Sequence, residues 1–266
     1  MDLKDAKSGR QKLDSGLISG ALSILAGKWQ NFEVLETVAS TNDLAIDRFA
    51  ANPTQVVIIT ADEQTKGRGR LQREWLSPPR AGIALSVSCE LSQYPFEPST
   101  IPLAVGVAVV RALRELGINV KLKWPNDICF VAGDGTVRKV GGILLQRSGD
   151  NIVIGIGLNV SMTEAELPTE MATSFFIEGF EVPRENIIAQ IIFEIEQLAT
   201  GTGSSWQREY LIFCSTINTQ VRVSTADGKL VEGMATSISA AGGLEIDVAG
   251  ELIEVTVGDI EHLRHI

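Results

Sequence analysis

Apolar positions recur along this chain at two periods, and each change of period marks a new element. Ile18, Leu22 and Leu25 sit at helical spacing within Leu17–Leu25 and predict a short helix. A strand follows at Phe32–Leu35. Ser40-Thr41-Asn42-Asp43 then opens an amphipathic segment to about Ala50. Ser40 suits the N-cap, and Asp43 puts a carboxylate in the first turn, where the helix dipole favours it. The β-branched run Gln55–Ala61 reads as a buried strand, and Gly82–Leu91 as a second. Between them, Glu63–Trp75 is a loop rich in glycine and arginine. Thr100–Leu116 is a long apolar helix stopped by Gly117. Val120–Lys123, Asp127–Val131, Val137–Gln146 and Asn151–Asn159 read as strands, with a tight turn at Gly133-Asp134-Gly135. Val182–Ala199 and Ser204–Phe213 carry helical patterns. The sum is an α+β fold: a mixed, mainly antiparallel sheet with helices on one face.

The texture changes near Asn218. Short β-branched runs now alternate with turns: Val221–Thr225, Val231–Ser239, Leu244–Val248 and Leu252–Val257, separated by Asp227-Gly228, Gly242-Gly243 and Ala249-Gly250. Asp-Gly between two such runs is a strong hairpin signal. Residues 219–266 are expected to form a small β-barrel or curled sheet. At under about 50 residues it should dock on a larger body. The expected organisation is a domain over 1–218, of which 1–31 is a weakly patterned extension, and a small domain over 219–266.

Composition narrows the chemistry. Apolar residues are 44% of the 266, charged residues 21%, and the formal net charge is −10. That supports a packed core and argues against long disorder. An acidic surface repels nucleic acid unless a basic patch is built locally. No run reaches the roughly 18–20 apolar residues of a membrane helix. Met1–Lys12 is polar and mixed in charge, unlike a signal peptide. A cytoplasmic protein that binds neither DNA nor membrane is expected. Cys89, Cys129 and Cys214 are far apart and odd in number, so they read as buried reduced thiols. The only histidines are His262 and His265. Their position argues against a histidine-activated nucleophile and a histidine-bound zinc.

Four segments carry candidate chemistry. Gly67-Arg68-Gly69-Arg70-Leu71-Gln72-Arg73-Glu74-Trp75 puts three arginines among glycines. Glycines let backbone N–H groups approach a ligand, and arginine grips carboxylate or phosphate. It is an anion-binding loop, although neither a Walker A motif nor a dinucleotide fingerprint; the alternative is a solvated basic turn. Lys123-Trp124-Pro125-Asn126-Asp127 bends sharply after a strand, presenting an amide and a carboxylate, or is a plain turn. Lys139-Val140-Gly141-Gly142-Ile143 sets a lysine beside paired glycines on an apolar strand, where a ligand could lie or a bulge could sit. Gly155-Ile156-Gly157-Leu158-Asn159-Val160 leaves room on one face of a strand, or is itself bulged.

In this order, starting from Ser40-Thr41-Asn42 and including Gln64, these segments resemble the biotin protein ligases over about 120 residues. The resemblance implies a class II synthetase-like catalytic domain with a C-terminal SH3-like β-barrel. It implies an enzyme that activates biotin with ATP and Mg2+ to biotinyl-5'-AMP, then transfers biotin to a lysine of a biotin carboxyl carrier protein or domain, of acetyl-CoA carboxylase or another biotin-dependent carboxylase. By the same resemblance Ser40, Thr41, Asn42, Gln64, Arg68, Gly69, Arg70 and Lys139 contact biotin. Arg68, Trp75, Asn126 and Asn159 contact the nucleotide. Lys139, Asp127 and Arg70 are catalytic, with Asp127 also the candidate metal ligand.

One position departs from the resemblance: Gln72 stands where such loops carry glycine. If that backbone is left-handed, glutamine is strained there by about 1 kcal/mol. Lipoate or octanoate ligases are the enzymatic alternative. A biotin-responsive regulator is the non-catalytic one, although the stretch before Ser40 is short for a DNA-binding module. The resemblance leaves a homodimer open.

Overall fold

A computed structural model describes residues 9–29, 31–53, 55–95, 97–200, 206–225, 228–256 and 258–262. Most of the polar N-terminal stretch, Ser204 of the expected last helix, Asp227 of the expected hairpin turn, Val257 and His265 lie outside the described residues.

Among the described residues the first element is α1 (Ser15–Ile24), capped by the Asp14 carboxylate on the N–H groups of Gly16 and Leu17. Seven strands then build the main sheet: β1 (Phe32–Val38), β2 (Val57–Gln64), β3 (Gly82–Glu90), β4 (Lys121–Lys123), β5 (Asp127–Val131), β6 (Val137–Ser148) and β7 (Asn151–Asn159). Their spatial order is β1-β2-β3-β7-β6-β5-β4. Only β1 and β2 run parallel; the other pairs are antiparallel. A parallel neighbour requires a crossover, and α2 (Thr41–Ala51) supplies it.

That crossover decides the layering. Ile59 and Val153 pack with Ala45 of α2 in a small apolar cluster, whereas Ile58, Ile152 and Ile154 belong to the main core. Adjacent strand residues point to opposite faces. So α2 covers one face, while α3 (Ile101–Glu115) and α4 (Arg184–Thr200) pack on the other, with α1 against α4 and α5 (Trp206–Phe213) against α3. The expectation of helices on one face is therefore corrected. Helices on both faces also explain why β3 is buried along eight of its nine residues instead of alternating. The α2 face is only partly covered, and its bare portion becomes a cleft.

The N-terminal stretch is stapled to this body. Arg10 bonds Glu166 at 2.7 Å and the Ser161 carbonyl at 2.6 Å. Arg184 pairs with buried Asp62 at 2.6 Å and also bonds the Gln11 carbonyl.

A second sheet follows: β8 (Thr219–Thr225), β9 (Leu230–Ile238), β10 (Leu244–Val248), β11 (Glu251–Val255) and β12 (Gly258–His262), in the order β11-β10-β9-β8-β12. The small C-terminal β unit is thus present as a sheet, with β11 and β12 at its two edges and not bonded to each other among the described residues. Val221, Val223, Leu244 and Ile246 join the same apolar cluster as the helices and main sheet. The three cysteines are buried and unpaired, as expected. Burial pushes the Cys89 and Cys129 thiols up to about 12. No helix of the described residues is long and apolar enough to cross a membrane.

Candidate active site

The floor of the cleft is made of small residues. Ala84 of β3 pairs with Gly157 of β7, which pairs with Gly142 of β6. One row away, Ser86 pairs with Gly155. Missing side chains let two larger groups drop onto the sheet. A Cβ at Gly155 would stand 2.8 Å from the Asn42 amide nitrogen, and one at Gly157 2.6 Å from Trp75 Cε2. Neither glycine can be replaced without moving what rests on it.

At one end of the cleft lies the first turn of α2, whose N–H groups have no helical acceptor. Ser40 caps it as expected, accepting from Asp43 N. Gln64, the last residue of β2, accepts from both Thr41 N and Thr41 Oγ1 at 2.9 Å. An N–H donor faces that atom, so it must be the carbonyl oxygen, which turns the Gln64 NH2 toward Gly67 at the start of the loop. Ser86 bonds Thr41 Oγ1 at 2.8 Å and Asn42 Oδ1 at 2.6 Å, and Asn42 Nδ2 donates to Gln146 at 2.6 Å. The result is a fixed group of amides and hydroxyls suited to a small polar head group.

The arginine-rich stretch is a hairpin. Gln64 stands opposite Ser77 and Arg68 opposite Glu74. Trp75 N donates to Gly67 O at 2.9 Å, and Gly69 N to Arg73 O at 2.8 Å. At its tip Arg73 N donates to Arg70 O, while Leu71 and Gln72 have φ of +55° and +59°. Two consecutive left-handed residues make a turn of type I′, which normally calls for Asn or Gly. Gln72 is therefore in the left-handed region. Arg68 is ion-paired with Asp43 of α2.

At the other end of the cleft, β6 carries a bulge. Ile128 pairs with Gly141 but Cys129 with Lys139, which leaves Val140 extra. The bulge brings Lys139 and Gly142 onto one face; a Cβ at 142 would be 3.4 Å from the Lys139 ammonium. Lys139 Nζ lies 2.5 Å from Asp127 Oδ1 and 5.7 Å from the centre of the Trp75 ring. Asn126 Nδ2 donates to Ile143 O at 2.8 Å, which turns its oxygen to accept from Arg70 at 3.3 Å.

These groups enclose a cleft of about 550 Å3. It is lined by every residue to which the resemblance gave a ligand contact or a catalytic role except Asn159, whose amide donates instead to Thr173 O beneath the wall. Five cations (Arg68, Arg70, Arg73, Lys123 and Lys139) line it against two carboxylates, Glu74 and Asp127. In a chain of net charge −10, that local reversal marks a site for anions. Sequence reasoning missed Ser86 and Gln146, which hold Asn42, and Gly258 and Ile260 of β12, which close one wall. A serine inside an apolar strand was a usable signal for the first; nothing local signalled the last two.

Among the described residues no three His, Cys, Asp or Glu side chains gather to hold a metal. Magnesium commonly keeps waters and takes one or two carboxylates plus phosphate oxygens. One half-buried carboxylate, Asp127, beside several cations fits an ion that arrives on a nucleotide.

Fold and cleft together define an enzyme class: one that gathers anionic reactants between a polar head-group pocket and a lysine–aspartate pair. The sequence profile of the Biotin/lipoate A/B protein ligase family matches residues 34–160. The chain is 32% identical to the biotin--[acetyl-CoA-carboxylase] ligase of Mycobacterium tuberculosis, over 96% of this chain and 97% of that one. It is 30% identical to the bifunctional ligase/repressor BirA of Escherichia coli, over 82% of this chain and 69% of that one. Its structure superposes on the biotin protein ligase of Aquifex aeolicus in complex with biotin and ATP with a TM-score of 0.73, at 26% identity, covering 88% of this chain and all of the other. The chain belongs to the biotin/lipoate A/B protein ligase family.

Proposed function

We propose that this enzyme is a biotin protein ligase that makes biotinyl-5'-AMP from biotin and ATP, then biotinylates a lysine of a biotin carboxyl carrier domain, from acetyl-CoA carboxylase or another biotin-dependent carboxylase. It works inside the cell on that carrier, with residues 1–218 as the catalytic domain and 219–266 as the small C-terminal domain. The observation that carries the reading is the two-ended cleft, with fixed amides and hydroxyls at one end and Lys139, Asp127, Arg70 and Asn126 at the other.

Thr41, Asn42 and Gln64 would seat the ureido head, with Ser40 fixing the turn that presents them. The biotin carboxylate and the α-phosphate of ATP repel each other. Lys139, Arg68 and Arg70 screen that repulsion and align them, with Gly69 offering its close backbone. A carboxylate oxygen attacks the α-phosphorus and pyrophosphate leaves. Trp75 and Asn126 border the nucleotide's place, and Asn159 supports it from behind through Thr173. Magnesium, when bound through Asp127, offsets phosphate charge. The hairpin at 64–77 keeps water from the mixed anhydride. In the second step the carrier lysine attacks the acyl carbon, AMP departs, and Asp127 takes the amine proton.

The test is a mass measurement on a carrier domain incubated with the protein, biotin, ATP and magnesium. One biotin-sized increment is expected, lost without ATP and in Lys139→Ala. An increment obtained only when lipoate replaces biotin would overturn the substrate assignment.

A further inference from the structure

The turn Trp124-Pro125-Asn126 presents the two groups that the proposed function needs at the nucleotide end, Asn126 and Asp127. Its two ends are held by different parts of the molecule. Asn126 is held by Ile143 and Arg70, both belonging to the main sheet and its hairpin. Trp124 is held from the C-terminal side. Its indole, almost fully buried, donates to the Gly242 carbonyl at 3.0 Å, in the turn between β9 and β10. Its backbone N–H donates to Thr216 Oγ1 at 3.1 Å.

Thr216 is fully buried in the link between α5 and β8. Its hydroxyl is also bonded, at 3.1 Å, to His262 Nε2 on β12. Its carbonyl accepts from Thr219 Oγ1 at 2.6 Å. One hydroxyl thus ties the start of the catalytic turn to the strand that also sends Gly258 and Ile260 into the cleft wall. A buried N–H left without an acceptor costs more than an ordinary hydrogen bond is worth, so the turn keeps its place only while that hydroxyl is there.

We propose that Thr216 is a positioning residue for the adenylation step, fixing the Asn126–Asp127 pair through Trp124 and thereby coupling the C-terminal sheet to the nucleotide end of the cleft. This rests on the ligase reading. The biotin end, built on Thr41, Gln64 and Ser86, shares no bond with Thr216 and should not feel its loss.

The experiment compares Thr216→Val, which keeps the shape and removes the hydroxyl, with Thr216→Ser, which restores it. Biotin affinity is measured without ATP, and pyrophosphate release is measured against ATP concentration. Thr216→Val should keep the biotin Kd within about twofold and lower kcat/KM for ATP at least about tenfold, the size of one displaced hydrogen bond at about 1.4 kcal/mol per decade. Thr216→Ser should recover most of that loss. Unchanged ATP parameters would overturn the proposal, as would equal loss of biotin and ATP binding, or a serine variant as poor as the valine. If the valine variant does not fold, Thr216→Ala, which also removes the hydroxyl and adds no bulk, is read by the same criteria. The ligase reading fails separately: the unaltered protein would then release no pyrophosphate from biotin and ATP.

Discussion

The hairpin tip offers a perturbation whose size follows from backbone geometry. Leu71 and Gln72 both sit in the left-handed region, at φ +55° and +59°. That conformation costs a non-glycine residue about 1–2 kcal/mol. Gln72→Gly removes the cost in the paired hairpin, but glycine's extra freedom in the open loop takes back about 0.5–1 kcal/mol. The net shift toward the paired form is about 0.5–1 kcal/mol, or roughly two- to fivefold in the closed-to-open ratio. Amide hydrogen exchange reads that ratio at the two cross-hairpin donors, Gly69 N–H and Trp75 N–H. Both should exchange about two- to fivefold more slowly in the variant. Leu71→Gly should act in the same direction, because its side chain is largely exposed and contributes little packing. In the proposed reaction, in which the hairpin shields biotinyl-AMP, the anhydride should hydrolyse more slowly by a similar factor. Exchange that is unchanged or faster at both donors would refute the argument that this tip is strained.

Three further outcomes are expected. Gly157→Ala places a methyl about 1 Å inside ordinary contact with Trp75; the cost, about 1–3 kcal/mol, should fall on hairpin docking, red-shifting Trp75 fluorescence and weakening biotin binding, and an unchanged spectrum would contradict it. Asp127→Asn should slow transfer from preformed biotinyl-AMP by about 100-fold, the low end for a lost general base, whereas undiminished transfer would remove Asp127 from that role. Burial, then Lys123, lower the His262 pKa from 6.5 to about 4. The folded state therefore resists the proton, so stability is complete above about pH 6.5 and declines as pH falls from there toward 4. His262→Gln should lose that decline but keep the one that sets in below about pH 4.5, where Glu166 takes up a proton in the unfolded chain while Arg10 holds it ionised, well below the carboxylate range, in the folded one. Thermal melts of both proteins across pH 4–7 check this, and parallel curves would exclude the histidine's part.

Elements governed by local pattern were legible in the sequence. The caps at Ser40 and Gly117, the apolar period of α3 and the β-branched strands depend on neighbours in the chain, and they emerged within a few residues of their observed ends. What escaped depends on partners far away. The excursion at 64–77 pairs through its backbone, so no alternation of side chains announced a hairpin. The β6 bulge is a mismatch between two strands and cannot be seen in either alone. Gly258–His262 is too short to show a period, and Leu252–Val257 read as a single strand where β11 ends at Val255. The candidate site was legible as residue types in order, because Arg, Gly, Asn and Lys carry their chemistry with them. The beam of Ser86, Asn42 and Gln146 was not, because it is made by folding.

The apolar cluster that passes without a break from α3 into β8 and β10 has a consequence for how the molecule comes apart. Opening either sheet strips apolar cover from that shared cluster, so the two are expected to melt together. Calorimetry should record a single endotherm whose van't Hoff and calorimetric enthalpies agree. A chain cut at residue 218 should behave as an injured whole, not as a sound catalytic half. The boundary there is one of topology, across which heat makes no distinction.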